Sequence, residues 1–221
     1  DHRDLHSFHQ RRSYDLPTHG GARITLQTTT ETDCATFWYM AADSSGVYYA
    51  NLETDPDQIE FRSASNPGDV VVLYTGTLAF SLTTFALDES YIYWGNVVTN
   101  HIYRLPKTGG TPTLLANTDT GLSDVVLWGG LLFWLDDSGL WKCNDLDCSA
   151  PSQESTTAGR WLRSTEWGLF WAEQSSPQHI RHYFCWMGVC DDYVFYTAPS
   201  GWTIYNAALG QCVNGSECVF W

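Results

Sequence analysis

Four histidines crowd the opening of the chain, "DHRDLHSFHQRRSYDLPTH", and are the first groups that could do chemistry. His2 and His6 stand four apart and would share one helical face, with His9 close behind. Neutral imidazole is a good ligand for zinc or copper. The same residues suit a solvated polar tail ahead of Leu16-Pro17, the ordinary condition of a chain terminus. We read residues 1–21 as such a tail, and His2, His6 and His9 as a weak, opportunistic metal set.

Cysteine is the next reactive type. Of seven, six form three close pairs: Cys143 with Cys148, Cys185 with Cys190, and Cys212 with Cys218. Zinc also accepts closely spaced cysteines, so spacing alone leaves metal open. Each pair, however, falls where other parts of the chain carry Pro/Gly turns, as set out below. That placement favours three local disulfides and an oxidising compartment, either extracellular or cell-surface, with the periplasm as a further case. Cys34 is left over and could join a partner chain.

Acidic pairs at Asp136-Asp137, Asp145/Asp147 and Asp191-Asp192 lack the D-x-D-x-D-G series of a calcium loop. No G-x-S-x-G elbow is present for nucleophilic catalysis. Asp43 and Asp88 occupy equivalent places in a repeat, as a ring of metal ligands would. Equivalent aspartates more often cap turns through their own backbone. No catalytic residue and no cofactor are therefore expected. Five tryptophans, Trp128, Trp161, Trp167, Trp186 and Trp202, stand outside the repeated aromatic pairs and are candidate ligand contacts. Indole stacks on sugar rings and anchors protein interfaces, although each could equally fill a core. Asn214-Gly215-Ser216 matches a glycosylation sequon.

The elements that must carry these residues follow from composition and repetition. The 221 residues are 43% hydrophobic and 15% aromatic, the profile of a folded chain with a substantial core. A net charge of −14 with only 11 Lys plus Arg argues against nucleic-acid binding and against an anionic membrane surface. No run is long enough to span a membrane as a helix, so no membrane insertion is expected. Asp1-His2-Arg3-Asp4 does not open a signal peptide, which fits either a cytosolic or a processed chain.

Shifted by 45 residues, "AADSSGVYYA" (41–50) lies on "ALDESYIYWG" (86–95) without a gap. Further steps of 40 and 37 reach "VLWGGLLFWL" (126–135) and "RSTEWGLFWA" (163–172). Each ends in an aliphatic and two aromatics, from Val47-Tyr48-Tyr49 to Leu169-Phe170-Trp171. A weaker fifth copy is "DDYVFYT" (191–197), only 25 residues on. After each anchor a further strand begins at Ile59, Ile102, Leu140, Ile180 or Ile204. A turn follows, glycine-rich in the first two copies and cysteine-bounded in the rest, and then another apolar strand in the first two copies. Four short strands in about 40 residues is the period of a β-propeller. The expected fold is all-β: a disulfide-stapled propeller of about five four-stranded blades, with six as the alternative count, over residues 22–221. Ala22 to Thr28 is a strand that could close the ring.

The second copy, "LDESYIYWGNVVTNHIYRLPKTGGTPTLLA" (87–116), resembles the YWTD-type propeller repeats of lipoprotein-receptor ectodomains. It is still more similar to tandem bacterial surface propellers with a "VYWTN…I.RVPK.GG.P..LA" pattern, which often carry cysteine pairs at the turn. The Thr-Asp of YWTD is Gly95-Asn96 here and Leu135-Asp136 in the third copy, a departure at the residues that carry that family's polar inter-blade bonding. Such propellers serve adhesion, signalling and assembly alike, and the resemblance implies fold more than ligand. The expectation is a non-enzymatic recognition module that binds a glycan or a protein. One alternative is a structural subunit of an extracellular assembly or filament. A second is a metal-dependent propeller hydrolase or lactonase.

Overall fold

The computed structural model describes residues 39–200, apart from 53, 67, 79–81, 84, 119, 146 and 175–177, together with the backbone of two strands at 208–211 and 217–220. Among the described residues there is no helix, and the strands form four antiparallel four-stranded sheets and one hairpin. Sheet one is β1 (Met40–Asp43), β2 (Gly46–Asn51), β3 (Gln58–Ser63) and β4 (Val70–Thr75). Sheet two is β5 (Ala86–Leu87), β6 (Tyr91–Asn96), β7 (His101–Pro106) and β8 (Thr113–Asn117). Sheet three is β9 (Asp124–Trp128), β10 (Leu131–Asp136), β11 (Gly139–Lys142) and β12 (Ser152–Ser155). Sheet four is β13 (Gly159–Ser164), β14 (Leu169–Glu173), β15 (His179–Trp186) and β16 (Val189–Thr197). The hairpin is β17 (Ala208–Gln211) and β18 (Glu217–Phe220). Each sheet is a simple meander in chain order.

The repeated triplets form the second strand of each sheet, and strand alternation sends successive residues to opposite faces. Tyr48 and Ala50 of β2 meet Ile92 and Trp94 of β6 between sheets one and two. Tyr93 faces the other way and meets Leu132 and Trp134 of β10. Phe133 and Leu135 in turn meet Leu169 and Trp171 of β14. Each of the three seams between consecutive described sheets is thus filled from both sides. The first strands run side by side, β5 against β1 and β9, and β9 against β13.

The aliphatic anchors sit on the third strands. Ile59, Ile102, Leu140 and Ile180 are 0–1% exposed, a burial worth about 1.5–3 kcal/mol for each such side chain. All four are followed at once by a register shift against the outer strand. A β-bulge bends and twists its strand, so the four sheets share one curvature at one place.

The fifth sequence copy is corrected by this arrangement. Val194-Phe195-Tyr196 lies in β16, the outermost strand of sheet four, and is not the second strand of a further sheet. The reason is local: β15 and β16 pair across a two-residue turn, so the 25 residues after Trp171 are spent completing sheet four. Ile204, the closing strand expected at 22–28, Cys34, Cys212, Trp202 and the histidines His2, His6 and His9 lie outside the described residues. Cys218 falls in β18, where only the backbone is described. The other two cysteine pairs are disulfides, Cys143–Cys148 and Cys185–Cys190, each at the turn between third and fourth strands.

Candidate recognition site

Sheet four differs from the others in one respect that matters at the surface. Its third and fourth strands have eight and nine residues, against four to six elsewhere. β15 runs six residues past Ile180, whereas β3 and β7 end four residues past their anchors. The chain that forms a loop in the other sheets is here paired strand. Met187 and Gly188 close it with φ of 51° and 82°, the two positive values that a tight hairpin turn with the right twist requires. Cys185 and Cys190 are cross-strand partners one rung below the closing pair Trp186–Val189, and their disulfide locks the ladder there.

Alternation along β15 places Ile180, His182, Phe184 and Trp186 on one face. Register adds Tyr193 opposite His182, Asp191 opposite Phe184 and Val189 opposite Trp186. The rings touch in sequence. His182 stacks on Phe170 with centroids 4.1 Å apart, Phe184 lies 5.6 Å from His182, and Tyr193 packs edge-on against both. Burial holds the His182 imidazole below the usual histidine pKa, against a smaller opposing pull from the Trp167 backbone. Tyr193 Oη lies 3.0 Å from His182 Nδ1. This aromatic run ends in an apolar tip: Trp186 is 71% exposed, Met187 91% and Val189 71%.

Trp167 joins the tip from the β13–β14 turn and is 61% exposed. That turn is held by Thr165, whose Oγ1 accepts from Trp167 N at 3.1 Å and Gly168 N at 3.2 Å. First and third turns of a meander lie at the same end, so Trp167 and the tip share one rim. Trp128 and Trp161 are placed differently. Trp128 is half-buried, edge-on to Tyr183 at 6.0 Å. Trp161, at φ 58° in a bulge of β13, is half-buried against the cluster of Phe170, Ala172, Ile180 and Ala198. The sequence had not singled out Phe184, Met187, Val189 or Tyr193. The signal was present in "FCWMGVC", where a two-residue turn between paired cysteines leaves its apolar residues no core to enter.

The same rim is tied across sheets. Lys107 Nζ, in the β7–β8 turn, donates to Asp43 Oδ2 at 2.6 Å. Gly110 N donates to Leu73 O at 3.0 Å, and Arg104 donates to Asp147 in the β11–β12 turn at 3.1 Å. Asp43 and Asp88 act here as turn caps. Asp43 Oδ1 accepts from Ser45 N at 2.7 Å, and Asp88 Oδ1 from Ser90 N and Tyr91 N at 2.7 Å. Partial burial works against ionisation of Asp43, yet Lys107 and Ser45 outweigh it and hold that carboxyl below the ordinary range. Among the described residues no group of three His, Cys, Asp or Glu is placed to hold a metal. A shallow apolar cleft opens between sheets two and three, lined by Tyr93, Leu115, Leu127, Leu131, Cys143 and Asp145.

Comparison with known proteins bears on the fold. No protein-family model matches the chain, and no curated protein matches it in sequence. Solved structures do. A chain of a nidogen/laminin complex aligns with TM-score 0.51 and 15% identity over 72% of this chain and 60% of its own length. A streptogramin B lyase aligns with TM-score 0.54 and 15% identity over 84% and 68%. Virginiamycin B lyase from Staphylococcus aureus aligns with TM-score 0.55 and 7% identity over 79% and 60%. The four sheets are therefore blades of a propeller fold, and the chain spans about 60–68% of these structures' lengths. Among the described residues no helix is long and apolar enough to cross a membrane.

Proposed function

We propose that the chain is a secreted or surface-exposed recognition module, without catalytic activity, that binds a protein or glycan partner through the rim of blade four. Blade four carries the reading through one observation: Trp186, Met187 and Val189 are held out in solvent by a two-residue turn and a disulfide. On a backbone fixed by the turn and the disulfide, an exposed tryptophan has few side-chain torsions left to order on binding, which suits an interface anchor. Two disulfides fit an oxidising compartment. A ring of about five blades, with β17 and β18 in the last, completes the architecture. Enzymes and a laminin complex both occur among the fold's neighbours, so fold alone does not choose between catalysis and binding. Screening on glycan and extracellular-protein arrays, with the Trp186→Ser/Met187→Ser variant in parallel, tests the reading. Signals lost in the variant are expected. Signals that ignore the substitutions would overturn it.

A further inference from the structure

Resting on that recognition reading, we infer the chemistry of the partner: a cationic protein surface in which Trp186, Met187 and Val189 enter an apolar pocket rimmed by lysine or arginine. The argument is charge complementarity around a rigid apolar projection. The rim that carries the tip is built from the first and third turns of each blade. Its exposed carboxylates are Asp69, Glu89, Asp145 and Glu166, with Asp147, which Arg104 pairs, and Asp191 of β16, two residues from Val189. Among the described residues of these turns Lys107 is the one cation, engaged by Asp43, and the cations at the adjoining strand ends are paired as well: Arg104 with Asp147, Lys142 with Glu154 and Arg163 with Asp124. Asp192, next to the tip, is neutralised by Arg181 on the opposite face of the hairpin, which leaves Asp191 as the charge beside Val189. A fixed field of one sign around an apolar anchor selects the opposite sign in its partner and repels its own.

The other occupants fit less well. A second copy would bring the same acidic rim and a net charge of −14 against itself. An anionic bilayer meets the same repulsion. A sugar stacks in a concave, hydrogen-bonding setting, whereas this tip is convex and its neighbours are Met187 and Val189. A pocket in a protein supplies both the apolar walls and the basic edge.

The probe is a naive library of twelve-residue peptides on phage, selected on the folded wild-type protein and deselected on Trp186→Ser/Met187→Ser. Both substituted side chains are exposed, and an unchanged thermal unfolding transition is the check that the variant keeps its fold. Recovered peptides are expected to place Lys or Arg beside aromatic or aliphatic residues. Made synthetically, they should bind wild type at least about tenfold more tightly than the variant, as loss of an anchor implies. Their affinity should fall as salt rises from about 50 to 300 mM, as screening of opposite charges requires. The Glu166→Gln/Asp191→Asn variant should bind more weakly and with a shallower salt dependence. Tip-dependent peptides without enrichment in cations, or with affinity indifferent to salt, would overturn the cationic partner while leaving recognition intact. Tip-dependent partitioning onto phosphatidylcholine vesicles would reassign the tip to a lipid surface. Failure of the recognition reading itself would look different: no peptide, glycan or vesicle would distinguish wild type from the tip variant.

Discussion

His182 lies flat on Phe170, ring centroids 4.1 Å apart and planes 6° from parallel, on the face of blade four turned away from blade three. Burial favours the neutral imidazole there, and the consequence is a pH dependence of definite sign. In the unfolded chain the imidazole titrates near the ordinary value of about 6.5. In the fold it titrates lower, so below about pH 6.5 the unfolded state binds more protons. The stability that His182 contributes is complete above that value and is lost as pH falls through the depressed folded pKa. Melting temperature followed from pH 7.5 to 5 should therefore drop more steeply in wild type than in His182→Phe, which keeps a ring on Phe170 but cannot titrate. Parallel curves for the two proteins would contradict this account.

Tyr183 ties blade four to blade three. Its buried phenol donates to Glu154 of β12, which also holds Lys142 at 2.9 Å. Burial and then the carboxylate keep the phenol protonated far above its ordinary range. Burial also works against ionisation of Glu154, but Tyr183, Lys142 and Ser152 together outweigh it and lower its pKa. Tyr183→Phe removes the donor and leaves one carboxylate oxygen without it inside the seam. A loss of about 1–3 kcal/mol is expected in urea unfolding, the cost of an unpaired buried polar group.

Gly139 follows the cap made by Asp136 at the β10–β11 turn, with φ of 133°. A Cβ there would stand 2.0 Å from the Ser155 carbonyl oxygen. Gly188 also has positive φ, at 82°, but nothing lies within 4 Å of its Cβ position. Gly139→Ala should therefore cost about 3 kcal/mol or more, combining strain with overpacking against backbone. Gly188→Ala should cost only about 1–2 kcal/mol of conformational strain. Equal losses in paired denaturation curves would refute the packing explanation.

Much of this architecture can be read from side-chain type and spacing. Val47-Tyr48-Tyr49 and its three full counterparts must alternate between two apolar surroundings, and a radial stack of sheets supplies both. The turn position of Cys143–Cys148 and Cys185–Cys190 followed from the same alignment. Val194-Phe195-Tyr196 misled because an outer strand covering Phe170 and His182 needs the same residue types as a second strand; Phe195 meets Phe170 at 5.4 Å. Exposure was the least legible property. Trp128 and Trp186 look alike in sequence, yet one meets Tyr183 across a seam and the other stands beyond the last disulfide rung. That difference depends on how far β15 outruns its neighbours, which only the pairing register determines.

The two disulfides should differ in reactivity because they differ in access. Cys143 and Cys148 are 2% and 5% exposed, packed in the cluster with Tyr93, Leu132 and Trp134. Cys185 and Cys190 are exposed on the projecting hairpin. Thiol–disulfide exchange requires a thiolate to reach a sulfur along the bond, so burial slows it wherever local opening is rare. Limited treatment of the folded protein with a dithiol reductant, then alkylation and peptide mass spectrometry, should label Cys185 and Cys190 well before Cys143 and Cys148. The order should vanish in denaturant, where both pairs are equally accessible. If reduction at Cys185–Cys190 also abolishes binding that depends on Trp186, the staple is required to hold the indole in its binding position. Binding that survives reduction would mean that the Met187-Gly188 turn and the β15–β16 ladder suffice to present it.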